Sequence, residues 1–155
     1  MLKLLFILIS IISIGLSQVA PSYHPYGLIH PEIELSVTQL TVSNEDIYIN
    51  FTENAQMTIR PDGTIYRLVI QFDGIKSGHM SIIDWQVPVD AMLFIFNDER
   101  SYTGPYLSSS GDEFFSGRFI SEKLTLEYFE PVNAEFSGNF KIEGIMPDYV
   151  IPSLQ

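Results

Sequence analysis

From residue 32 onward, apolar and polar residues alternate in short runs. Ile33, Leu35 and Val37 alternate and, after a break, Leu40 follows; DIYINF alternates again. A period of two marks half-buried strands. IYRLVIQF gives a longer strand, stopped by Asp73-Gly74, and MSIIDWQV gives another after a KSGH turn. AMLFIFND is almost continuously apolar, as expected of a strand covered on both faces. SYTGPYLSSSGDE then reads as a long loop, after which EFFSGRFI, KLTLEYFE and NFKIEGI complete the series. RPDGT reads as a turn in which Pro61 presets φ and Gly63 accepts positive φ. No segment carries a helical repeat. About eight short strands with turn signals between them predict a single all-β domain, an antiparallel β-sandwich of jelly-roll type.

The KLTLEYFE segment sharpens that expectation. Leu124, Leu126 and Tyr128 fall on one face, with Phe115 and Phe119 from the preceding segment as further core residues. Thr125, Glu127 and Phe129 fall on the other face. Phe129 is out of place on a solvated face, so the pattern implies that both faces are partly covered or that a second surface is used.

The first residues change the compartment. Lys3, the apolar run Leu4–Ile14, and the small residues Gly15 and Ser17 form a signal-peptide pattern with a cut before Gln18. The run is shorter than the roughly 20 residues of a spanning helix. The expected organisation is a signal peptide over 1–17, a Pro-rich lead-in over 18–31, and the sandwich over 32–150. The mature chain then has 155 − 17 = 138 residues, no membrane span, and a secreted, periplasmic or cell-surface location. The absence of Cys excludes disulfides, thiol nucleophiles and zinc–cysteine sites. The formal charge of −11, or −12 without Lys3, argues against nucleic acid as a partner.

Candidate chemistry is sparse. His24, His30 and His79 have no ligand spacing, and no nucleophile elbow or phosphate cradle occurs. The acidic pairs Glu45-Asp46, Asp98-Glu99 and Asp112-Glu113 lack the spacing of a calcium loop. No catalytic residue, metal or cofactor is therefore assigned, and Asn50-Phe51-Thr52, a glycosylation sequon, receives no role. Phe94, Phe96, Phe119 and Phe140 read as core. Trp85, Tyr102 and Tyr106 are the candidate binding residues, since aromatic rings offer large contact area at low entropic cost. The partner expected is an extracellular or cell-surface protein met by the loop from Ser101 to Asp112, or alternatively a glycan.

Two stretches carry a family resemblance. One is the break at Val87–Ala91 followed by an aliphatic strand ending in Asp98. The other is Gly117-Arg118-Phe119 followed by LTLEYFEP, ending at Pro131. With the strands from Thr64 to Ile145, they resemble the small β-sandwich domain that precedes the catalytic domain in secreted bacterial proteases of the lysyl-endopeptidase type, similar in style to CUB-like and proprotein-convertase P-type sandwiches. The resemblance implies a non-catalytic accessory domain that aids folding, positions a neighbour or binds a surface. A fragment of a longer secreted protease is the alternative it implies.

Overall fold

The computed structural model describes residues 38–43, 47–99 and 101–148. The expected signal peptide, the lead-in, His24, His30 and the Glu45-Asp46 pair lie outside them. Two sheets pack face to face. The larger has the strand order β1 (Thr38–Val42), β4 (Gly63–Phe72), β10 (Lys123–Pro131), β6 (Met92–Asn97), β7 (Tyr102–Tyr106), with β3 (Gln56–Arg60) also on β4. The smaller has the order β2 (Ile49–Asn50), β11 (Asn139–Pro147), β5 (Ser77–Gln86), β8 (Phe114–Phe115), with β9 (Phe119–Ile120) also on β5. The chain is thus an all-β sandwich. Between them lies a core that includes Phe51, Leu68, Ile70, Met80, Ile82, Leu93, Leu124, Leu126, Tyr128 and Phe140.

Among the described residues, eleven strands stand where about eight were expected. QMTIR forms β3, a strand the alternation of Met57 and Ile59 was too short to announce. The stretch read as a loop contains β7. EFFSGRFI is divided into β8 and β9, because buried Ser116 takes over the ladder between them: its Oγ accepts from Met80 N at 2.9 Å and its N–H donates to Met80 O at 2.8 Å. DIYINF gives two strand residues and then a one-turn helix, α1 (Phe51–Asn54), that carries Phe51 into the core. The sheets are not wholly antiparallel, since β1 runs parallel to β4. KSGH is not a turn; Ser77, Gly78 and His79 begin β5. Phe115, expected in the core, is 56% exposed, and its neighbour Phe114 turns inward instead.

Strand β10 is central. It pairs with β4 from Lys123↔Gln71 to Pro131↔Gly63 and with β6 from Leu124↔Asn97 to Phe129↔Met92. Its inner face bears Leu124, Leu126 and Tyr128, all at most 1% exposed. The outer face is buried as well. Phe129 there is joined by Ile65 and Val69 of β4 and Phe94 and Phe96 of β6, none of which belongs to the inner cluster. The centre of this outer face holds an ion pair between Arg67 and Glu127, directly opposite residues, with the Arg67 Nε–H donating to Glu127 Oε2 at 3.1 Å. Glu127 has no exposure. An ionised carboxylate so placed is tolerable because the guanidinium neutralises it.

A second buried carboxylate closes one end of the sandwich. Glu130 Oε2 accepts from the Tyr128 hydroxyl at 3.1 Å and from Gly138 N at 2.6 Å, which holds the β10–β11 turn against the sheet. Gly138 is required there because a Cβ would fall on the Tyr128 hydroxyl and within 3.2 Å of Pro88. Gly63 also has a steric reason, different from the expected one. It is not among the positive-φ residues; a Cβ would collide with the Glu130 carbonyl and lie 2.6 Å from the Phe129 ring.

Two predictions follow from this packing. Leu126→Ala removes a fully buried side chain and should destabilise the fold by about 2–5 kcal/mol in denaturant titration; a change near zero contradicts the register given above. Burial, and then the Glu130 charge, raise the Tyr128 and Tyr66 hydroxyl pKa values above their ordinary value of 10.0. The folded state therefore holds these protons more tightly than the unfolded chain. Stability should be level with respect to them below about pH 10 and fall as the pH rises beyond it. Tyr128→Phe should make that alkaline fall shallower, as read by denaturation midpoints across the alkaline range.

Candidate functional site

The three aromatic candidates do not form one platform. Trp85 is 4% exposed and lies in the core. The cause is a bulge. Between Asn139↔Gln86 and Lys141↔Ile83 strand β5 has one residue too many, and Asp84 takes φ = 50°. Strict alternation from Met80 and Ile82 would turn Asp84 inward; the bulge turns Trp85 inward in its place. The indole stands edge-on to Phe114 at 5.2 Å and leans on Phe140 at 4.8 Å.

Trp85 instead braces the segment after β7. Its Nε1–H donates to the Leu107 carbonyl at 2.8 Å, and its backbone N–H donates to the Asp112 carbonyl at 2.9 Å. The 3-10 turn Ser108–Ser110 between those two points is thereby fixed to the smaller sheet. Tyr106 has a similar role. Its ring stacks on Phe114 at 5.0 Å, and its hydroxyl accepts from Gly117 N at 2.6 Å and donates to Thr103 Oγ1 at 3.0 Å. Gly117 must be glycine for this closure, since a Cβ would meet the Thr103 methyl at 2.6 Å. Trp85, read as a candidate contact residue, is buried, and Tyr106, read likewise, is partly buried; both make internal ties.

Tyr102 differs. It is 52% exposed, with its ring edge-on to Phe94 at 5.8 Å. It stands on β7, an edge strand of the larger sheet, beside a cleft of about 320 Å³. Ile95, Phe119 and Leu124 form the apolar floor of this cleft, and Asn97, Arg118 and Ile120 stand at its rim. Ile120 is 64% exposed. Arg118 is oriented by Asp148, whose Oδ2 accepts from Arg118 Nε at 2.7 Å. Hydrogen bonds from Arg118 and then Ser77 hold the Asp148 carboxyl below its ordinary range. The cleft thus presents an apolar base, two exposed hydrophobic side chains and an oriented guanidinium. Sequence reasoning found Tyr102 but missed Arg118 and Ile120. The available signal was their place in a short segment broken by Ser116-Gly117, where a strand end turns side chains outward.

Edge pairing by a foreign strand is not what β7 offers. It is five residues long, Pro105 lacks an N–H, and Gly104 has φ = 108°. What this edge presents is side chains rather than a free ladder.

Beside Trp85 runs a second groove, lined in part by Asp84, Asp112, Glu113 and Glu143. Lys141 Nζ donates to Asp84 Oδ2 at 2.7 Å. Among the described residues, no three His, Asp or Glu side chains converge to hold a metal ion. His79 lies in β5, not in a turn, and its Nδ1 is 2.9 Å from the Ser116 carbonyl, so that nitrogen carries a proton and donates. Among the described residues, no helix is long and apolar enough to cross a membrane.

Fold and cleft together define a β-sandwich with an amphipathic cleft at one edge of its larger sheet. No family model matches the chain, and no curated protein matches its sequence.

The bracing role of Trp85 is testable. Trp85→Phe keeps a ring in the core and loses the bond to Leu107, so it should cost about 1 kcal/mol. Backbone amides over residues 108–112 should exchange faster by hydrogen–deuterium mass spectrometry. Unchanged exchange there would show that the indole does not hold this segment.

Proposed function

We propose that the protein is a secreted or cell-surface, non-catalytic β-sandwich that binds an extracellular protein through the cleft framed by Tyr102, Arg118 and Ile120. The observation that carries this reading is the exposure of two large hydrophobic side chains at the mouth of an apolar cleft with a fixed cation beside them. Such a patch, apolar at its centre and polar at its rim, suits an inserted side chain of a protein partner. The signal-peptide pattern supports export, and the strongly acidic chain disfavours nucleic acid as the partner. An accessory role beside a secreted protease agrees with the resemblance carried by Val87–Asp98 and Gly117–Pro131. A glycan platform has less support, because Trp85 and Tyr106 turn inward and Tyr102 stands without a second exposed ring from that set.

The test is capture of partners from the producing cell's secreted and surface material, with the wild type compared with a Tyr102→Ala, Ile120→Ser double variant. Both positions are exposed, so folding should be preserved, as circular dichroism would check. A protein retained by the wild type and lost by the variant supports the cleft. Equal retention by both moves the binding surface elsewhere, and retention of a glycan alone replaces the protein partner.

A further inference from the structure

The chain contains a single Asn-x-Ser/Thr sequence, Asn50-Phe51-Thr52. Asparagine in that setting is the acceptor for an N-linked oligosaccharide in an export pathway that holds the transferase. Whether the asparagine stands clear of the packing decides if a sugar chain fits the folded protein.

β2 is an edge strand of the smaller sheet and pairs with β11. Burial alternates along it. Ile47 and Ile49 are buried in the core, while Tyr48 is 61% exposed and Asn50 is half-buried. Asn50 and Tyr48 therefore point to the outer side of the sheet. Lys141 is opposite Asn50 in the ladder. Its ammonium is engaged elsewhere, 5.4 Å from the centre of the Tyr48 ring and 2.7 Å from Asp84 Oδ2.

The fold gives the Asn50 side chain little to do. Asn50 is the N-cap of α1, where asparagine is favoured because its side-chain oxygen accepts a backbone N–H of the first turn. No such bond forms here. The backbone carbonyl of Asn50 serves instead, accepting from Asn54 Nδ2 at 2.7 Å. Asn50 Oδ1 lies a long 3.4 Å from the Thr52 hydroxyl, which has a closer acceptor in Asn139 Oδ1 at 2.9 Å. Among the described residues Asn50 Nδ2 donates no hydrogen bond, and no buried side-chain nitrogen or oxygen lacks a partner, so Nδ2 opens to solvent. The atom that would carry a sugar is uncommitted.

We propose that Asn50 is a glycosylation site, bearing an oligosaccharide joined through its first N-acetylhexosamine. Nδ2 attacks C1 of a sugar carried on a lipid pyrophosphate. The N–C1 bond forms, the C1–O bond breaks with its electron pair leaving on the pyrophosphate, and the Nδ2 proton passes to a base of the transferase. Phe51, between acceptor and Thr52, is fully buried, so the transferase meets the tripeptide before the corner between β2 and α1 folds. In the folded protein the sugar stands on the outer side of the edge strand, beside the exposed Tyr48 ring. The inference shares export with the proposed function and does not depend on what the cleft binds.

The test is mass spectrometry of the chain secreted by its producing cell, before and after peptide-N-glycosidase in heavy-oxygen water. The peptide containing Asn50 should be heavier by a glycan. After the enzyme it should lose that excess and carry heavy oxygen in a new carboxylate at position 50. Asn50→Gln should abolish the excess, and Thr52→Ser, which keeps the hydroxyl, should retain it. The peptide map of the wild type decides the question even where a variant fails to fold. An unmodified Asn50 in the secreted chain overturns the inference and leaves export standing, as does an excess that survives Asn50→Gln. A chain retained in the cell without a glycan overturns both.

Discussion

Glu127 is a carboxylate with no exposure, on the central strand of the larger sheet, neutralised by Arg67 on the neighbouring strand. Much of the architecture is bound by that arrangement. The pair faces away from the core, so β10 must keep its register against both β4 and β6. A slip by one residue would exchange its two faces, drive the carboxylate toward Phe140 and turn Leu126 outward. Removing one partner would leave a buried charge alone, a cost of about 3–5 kcal/mol. The pair lies on the second buried side of the sheet. A charge pair open to water asks for no apolar surroundings, whereas Phe94, Phe129 and Ile65 enclose this one.

From this frame the edge that carries the cleft is built by internal ties. The bulge at Asp84 turns Trp85 inward, Trp85 secures Leu107 and Asp112, and Tyr106 secures Gly117. The Tyr106 hydroxyl, bonded to Thr103 and Gly117, joins the two segments that carry Tyr102 and Arg118, while Tyr102 and Ile120 remain largely exposed. Under the proposed function such rigidity would help, because the side chains would need little further ordering when a partner arrives.

The long strands were legible in the sequence because their physics is local. β4, β6 and β10 show alternation or a continuous apolar run, and two-face burial was readable from AMLFIFND and from Phe129. What escaped notice depends on distant neighbours. Gly104-Pro105 looks like a turn, yet β6 holds it as a strand. The Asp84 bulge is set by the pairing with β11, which no local pattern records, and with it the fate of Trp85 was lost. Gly63 reads as a turn glycine, whereas the need comes from Phe129 and Glu130, on a strand some sixty residues later in the chain. Of the candidate site, Tyr102 could be found because an aromatic beside turn residues tends outward. Arg118 and Ile120 were missed because their exposure follows from Ser116 interrupting a strand, for which the Ser116-Gly117 break was the one local sign.

Trp85 is the only tryptophan in the chain, and it sits where the smaller sheet meets the segment after β7. The protein therefore contains its own optical reporter. Indole emission depends on the polarity around the ring, and this ring has apolar neighbours and a hydrogen bond to a backbone carbonyl. A shift in that emission would register a rearrangement of the segment from Leu107 to Asp112 without a label, and the background from a second indole would be absent.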